Sequence, residues 1–262
     1  LMTQKPLQEH LLRHLLWLTV PLIAAVLFVA VTLISSAAYD LASAVIAPVS
    51  HWDPDQCFLL ISVHHVFQAV IAFSVILLLS LLSRKSLSEF GFNRNAFRYS
   101  VRSVLIFSGI WFVFQLAASI LVSRLTGLDA SLAYPLTARN FIGNFLFELL
   151  LSGTSEEILF RAMTIPLMLA FFRTFTRRES LAWGVAIAVA TLVFTLAHIN
   201  FNLNPFTITH LNVAQLITCV IFGVYYGLLM KKTGSVLGPM LAHNLLNGVC
   251  TLAALIITLC GA

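Results

Sequence analysis

Hydrophobic and polar positions alternate in this chain on a long scale, with extended apolar runs separated by short polar connections. Seven runs stand out, at 15–38, 57–82, 103–125, 141–172, 181–200, 214–230 and 235–260. About 20 consecutive apolar residues suffice to cross a bilayer core as a helix. The pattern therefore predicts an all-α, polytopic transmembrane bundle of about seven spans, forming a single integral-membrane domain over residues 1–262. The fourth run would be about 48 Å long as a straight helix, more than one span needs. A split or re-entrant eighth segment is the alternative. The first run ends in SSAAYD, faintly similar to a signal-peptidase site. It exceeds the 7–15 residues of a signal core and is read as a retained helix.

Lysine and arginine positions orient this bundle. With the N-terminus inside, twelve of the fifteen fall on inner segments, including Arg84, Lys85, Arg94, Arg98, Arg102, Arg173, Arg177 and Arg178. Arg124 and Arg139 lie outside, and Arg161 falls within a span. Residues 83–102 form the longest polar connection, interleaving Phe90, Phe92, Phe97 and Tyr99 with arginines. A membrane-surface segment and a solvated loop are both open for it.

Composition agrees with the pattern. The chain is 60% hydrophobic and 10% charged, with a mean hydropathy of +0.96. Its net charge of +5 comes from residues at the ends of apolar runs, not from a basic patch, so no nucleic-acid partner is expected. Cys57, Cys219, Cys250 and Cys260 show no paired spacing and read as packing residues.

Within this apolar background, LSGTSEEILFRAM at 151–163 places three charges inside one run. A charge at the centre of a membrane helix costs about 2.5–3.5 kcal/mol on the insertion scale. Glu157 and Arg161 are four apart, the spacing of an ion pair along one helical face. Glu156 points about 100° away and is left without a dedicated cation. Glu148, two turns earlier, reads as structural or interfacial. His198 ends the fifth run, and His243 and Asn247 share a face of the last. The adjacent His64 and His65 in the second run read as an interfacial or packed pair, because neighbours on a helix do not face one site. Singly, each buried polar residue has a structural explanation. Polar groups on three helices normally face one another, however, and a carboxylate, two imidazoles and a carboxamide can activate water and hold an oxyanion. Depth is the weak point: Glu156 lies about 24 Å from the inner end of its run, and His243 only about 12 Å from the inner end of its own.

These residues resemble the three signatures of the CAAX protease and bacteriocin-processing (CPBP, or Abi) family of membrane peptidases. E-E-x-x-x-R is matched by Glu156, Glu157 and Arg161, F-x-x-x-H by Phe194 and His198, and H-x-x-x-N by His243 and Asn247. SEFGFNRN is similar to a short Gly-Phe segment of bacterial members. The resemblance implies an intramembrane protease whose catalytic core lies within 141–260, with a peptide or small protein at the lipid bilayer as substrate. Glu156 and His198 would activate water, His243 and Asn247 would hold the oxyanion, and Glu157, Arg161 and Phe194 would support them. A short bacterial-type chain implies a multi-pass protein of the bacterial cytoplasmic membrane, acting in peptide maturation, bacteriocin immunity or signalling. No cofactor is expected. Zinc on Glu156, His198 and His243 is the alternative, disfavoured by the lack of an HExxH motif. A non-catalytic scaffold or immunity protein is a competing function, as is an ion-coupled transporter, though no internal repeat supports the latter.

Overall fold

In lipid a backbone must satisfy its own hydrogen bonds, which leaves the helix as the economical form for each apolar run. The computed structural model describes residues 4–127, 131–174, 176–203 and 205–260, with side chains from Leu18 onward except Leu203. Helix α1 (Gln4–Ile46) continues into a 3₁₀ segment (Ala47–Trp52). Helices α2 (Leu59–Ser83) and α3 (Phe97–Thr126) follow. A composite helix, α4, occupies 138–173, followed by α5 (Glu179–Leu196). After a two-stranded hairpin come α6 (Val213–Thr233) and α7 (Leu237–Cys260). The protein is an integral, multi-pass membrane protein of all-α class.

Six helical stretches among the described residues are long and apolar enough to cross a membrane: Leu18–Trp52, Leu59–Ser83, Phe97–Thr126, Glu179–Leu196, Val213–Thr233 and Leu237–Cys260. The expected seventh is α4, which is interrupted. Its α-helical pieces are Ala138–Phe147, Gly153–Glu157 and Thr164–Arg173, joined by π-helical turns at Glu148–Ser152 and Ile158–Met163. The helix is continuous, yet no regular piece exceeds ten residues.

α4 is also the centre of the bundle. Every residue from Ile158 to Ile165 is buried, and Met168 and Phe172 further along have no exposure. α2, α5, α6 and α7 pack around it. Outward-facing Leu105, Ile110 and Val113 on α3, each at least 60% exposed, present the surface expected of a lipid-facing helix.

Two connections differ from a plain helical reading. Between α5 and α6, strands β1 (Asn200–Leu203) and β2 (Phe206–His210) form an antiparallel hairpin. The sequence had offered only a link there. SEFGFNRN forms a packed clasp rather than a free loop. Gly91 stands at φ +92°, and its carbonyl accepts from the Val236 N–H at 2.9 Å. Asn93 Nδ2 donates to the Gly234 carbonyl at 2.8 Å, and Ser235 Oγ donates back to the Asn93 carbonyl. A Cβ on Gly91 would meet the Val236 backbone nitrogen at 3.1 Å, so glycine suits both the conformation and the approach. The segment thus fixes the α6–α7 turn, and with it the entry of α7.

At the opposite end, Asp53 serves the start of α2. Its carboxylate accepts from the backbone N–H groups of Cys57, Phe58 and Leu59 at 2.9, 2.8 and 2.7 Å. Burial works to raise its pKa, but these three hydrogen bonds, assisted by Arg139, hold it below the ordinary 3.8. A lowered folded-state pKa gives stability that is complete above 3.8 and lost as the pH falls through the folded value. Asp53→Ala should cost about 1–2 kcal/mol at neutral pH. Thermal unfolding in detergent would show that deficit shrinking at acid pH, where the native carboxyl also becomes neutral.

Candidate active site

A buried carboxylate in a bilayer needs partners, and Glu157 has them from two helices. Its Oε1 accepts from Arg161 Nη1 at 2.8 Å and from His243 Nδ1 at 2.8 Å, with Glu157 and Arg161 wholly buried. The pair expected to neutralise itself within one helix is therefore a triad reaching α7. Arg161 Nη2 also donates to the Gly223 carbonyl of α6 at 3.2 Å. Its guanidinium lies 4.6 Å from the ring centre of Phe194 and 5.0 Å from that of Tyr226. This arrangement satisfies much of the cation with a carboxylate, a carbonyl and two aromatic faces.

His243 is correspondingly fixed. Tyr226 stacks on its ring at 5.0 Å, and Phe194 meets it edge-on at 5.6 Å. With Nδ1–H donated to Glu157, Nε2 is turned toward Glu156, 3.8 Å from Oε2. That separation is too long for a direct hydrogen bond and lies within reach of a bridging water. The Glu156 side chain is 16% exposed, and its Oε2 is buried without a hydrogen-bond partner. As expected from its angle on α4, Glu156 has no dedicated cation, and its nearest ring nitrogen is His243 Nε2.

His198 is half-buried at the end of α5. Its Nδ1 donates to the Phe194 carbonyl at 2.8 Å, leaving Nε2 as the free lone pair. Phe194 lies edge-on to His198 at 4.8 Å, so one aromatic ring touches both histidines and the arginine.

Asn247 is held elsewhere. Its Nδ2 donates to Glu148 Oε2 at 2.9 Å and to Ser152 Oγ at 3.0 Å. Glu148 and Ser152 bound the first π turn, which directs both side chains to the same carboxamide. The neighbouring Asn244 joins α7 to the helix directly: the Thr154 N–H donates to its Oδ1 at 3.1 Å, and its Nδ2 donates to Thr154 Oγ1 at 2.9 Å. A side chain inserted into the backbone ladder is a recognised companion of a helix irregularity. The approach is close, since a Cβ on Gly153 would stand 2.5 Å from the His243 Cβ and 2.7 Å from the Asn244 nitrogen.

The depth difficulty has a geometric resolution. Glu157 and His243 touch, so the inner ends of α4 and α7 are not flush; α4 continues about 10 Å further from the site. Its end is tied at Arg173, which pairs with Glu179 at the start of α5.

Sequence reading gave too little weight to α2. Both His64 and His65 are buried, and His65 Nδ1 lies 2.6 Å from Ser155 Oγ on the turn carrying Glu156. Two histidines inside an apolar run were the available signal, but spacing within α2 could not reveal a partner ninety residues away. Tyr226 and Asn244 carried no comparable signal.

Among the described residues, no three His, Cys, Asp or Glu side chains form a group able to hold a metal ion.

Residues 138–249, which contain every group above except those of α2, match the family model described as type II CAAX prenyl endopeptidase Rce1-like. Over these residues the chain is similar to the CAAX-type membrane proteases in the broad sense. The Rce1-like region begins at α4 and ends within α7, so α1, α2 and α3 stand outside the match. Neither a curated protein nor a solved structure matches the chain.

Removing one member of a buried ion pair strands the other in the interior, at a cost of about 3–5 kcal/mol. Arg161→Ala should therefore lower the unfolding midpoint of the purified protein sharply. An exposed-site control, Arg177→Ala, should leave it unchanged.

Proposed function

We propose that this protein is an intramembrane endopeptidase that hydrolyses a hydrophobic or membrane-associated peptide, with Glu156 and His198 activating water. The observation that carries the reading is the contrast between adjacent carboxylates. Glu157 is wholly buried, with Oε1 held by Arg161 and His243, whereas Glu156 is partly accessible, has no direct hydrogen bond to a neighbouring cation and faces the His243 imidazole. A scaffold alone would not need a buried carboxylate left accessible and unpaired beside an imidazole, since such an acceptor costs free energy to maintain.

Each histidine's partner supports a distinct role. His198, with its proton on Nδ1, offers Nε2 as a base. Water would lose its proton to Glu156 or His198 while its oxygen attacks the scissile carbonyl. As the C–N bond breaks, that proton would return to the leaving amine. His243 is oriented by its Nδ1 hydrogen bond to the Glu157 carboxylate, and in this reading its Nε2 would serve the oxyanion. Asn247 would contribute a second donor by releasing either Glu148 or Ser152. The reaction proposed is metal-free and of glutamate type, a preference drawn from the lack of an HExxH motif.

The substrate class proposed is a membrane peptide of the maturation, immunity or signalling type, handled in the bacterial cytoplasmic membrane. To test this, protein reconstituted in lipid would be given quenched peptides, both unmodified hydrophobic sequences and a prenylated CAAX peptide. Wild type should cleave at least one, and Glu156→Ala and His198→Ala should each lose about 100-fold or more in kcat. Equal cleavage by wild type and both variants would sink the assignment. Peptide binding by wild type without cleavage would favour the non-catalytic scaffold.

A further inference from the structure

α2 contributes a buried polar cluster to the back of the catalytic turn. His65 Nδ1 lies 2.6 Å from Ser155 Oγ, and Gln68 Nε2 donates to the same oxygen at 3.3 Å. The Ser155 hydroxyl itself donates to the Ser152 carbonyl at 3.2 Å. A serine hydroxyl has one proton and two lone pairs. With its proton on Ser152, both lone pairs serve the two donors from α2, which makes His65 the Nδ1–H tautomer. All three residues are buried, and the His65 ring is confined by Phe147 at 4.9 Å and His64 at 5.1 Å.

The location gives this cluster its meaning. Ser155 directly precedes Glu156 in the short α-helical piece Gly153–Glu157, between the two π turns. A turn flanked by irregular ladders on both sides is less constrained by its own helix, and its rotation determines where the Glu156 carboxylate points. An apolar pair would pack α2 against α4 without the desolvation cost of burying an imidazole, a carboxamide and a hydroxyl.

We propose that His65 is a positioning residue for Glu156, acting through the Ser155 hydroxyl. The inference rests on the endopeptidase reading and adds to it an element outside the Rce1-like match. His65 grips Ser155, Gln68 completes the grip, and the carboxylate one residue on is held toward His243. The titratable groups that face His65 are Glu156 from α4, His243 from α7 and its neighbour His64. In this role His65 acts by position, buried and held to Ser155 through Nδ1, rather than by exchanging a proton with substrate.

The experiment uses the full chain in lipid with a quenched peptide that wild type cleaves, comparing His65→Leu, His65→Asn, Ser155→Ala and the double variant His65→Leu/Ser155→Ala. Misplacing a reacting group by an ångström can cost about 100-fold. His65→Leu should therefore lose roughly 10- to 100-fold in kcat with KM within about twofold. Ser155→Ala should lose a similar factor, and the double variant no more than the weaker single. His65→Asn puts a carboxamide N–H near the place of Nδ1–H and should restore most of the rate, with the wild-type shape of the pH–rate profile. Wild-type kcat in a folded His65→Leu would overturn the proposal, as would singles whose losses multiply in the double. A changed pH profile in His65→Asn would also overturn it, making His65 a proton carrier. If His65→Leu does not fold, Ser155→Ala and His65→Asn decide the matter by the same readings. An active wild type with indifferent variants defeats this inference alone, while a wild type that cleaves no peptide defeats the endopeptidase reading and this inference with it.

Discussion

The bundle depends on pairing one fully buried carboxylate. Glu157 Oε1 is held by Arg161 from its own helix and by His243 from α7, and each partner fixes something further. Arg161 draws in the Gly223 carbonyl of α6 and the aromatic faces of Phe194 and Tyr226. His243 is turned so that its second nitrogen faces Glu156. Breaking a buried pair of this kind costs more than most single contacts, so α4, α5, α6 and α7 are locked at the point where the chemistry is proposed. Stability and site geometry come from the same few atoms.

Irregularity in α4 is the means by which a helix presents so many polar groups inward. A regular helix distributes consecutive residues at about 100°. π turns alter that spacing and occur often at functional sites. Here they direct Glu148 and Ser152 together to Asn247, expose the Thr154 backbone to Asn244, and leave Glu156 and Glu157 facing different neighbours. The α7 carboxamides compensate what the ladder gives up, while Gly153 lets the two helices approach closely.

Much of this was legible in the chain. Run length gave the helical class and the approximate span count, and the i, i+4 spacing gave the Glu157–Arg161 pair. Three motifs in order gave the family. What spacing could not give was contact between helices. His243 was assigned to an oxyanion from its motif, yet its nearest hydrogen bond is to Glu157, a partner eighty-six residues away. The π turns have no residue signature, so the fourth run seemed merely too long. His65 was set aside because a histidine in an apolar run has an ordinary packing explanation, and only the position of Ser155 argues otherwise. The hairpin at Asn200–His210 was hidden in a polar link.

The division of labour between two adjacent carboxylates is the central claim, and paired amide substitutions test it most directly. Glu156→Gln and Glu157→Gln would be measured together for unfolding midpoint and for peptide hydrolysis in lipid. The account predicts that Glu156→Gln keeps the wild-type midpoint and loses hydrolysis, whereas Glu157→Gln lowers the midpoint by stranding Arg161. Wild-type hydrolysis by Glu156→Gln, or an unchanged midpoint in Glu157→Gln, would contradict it.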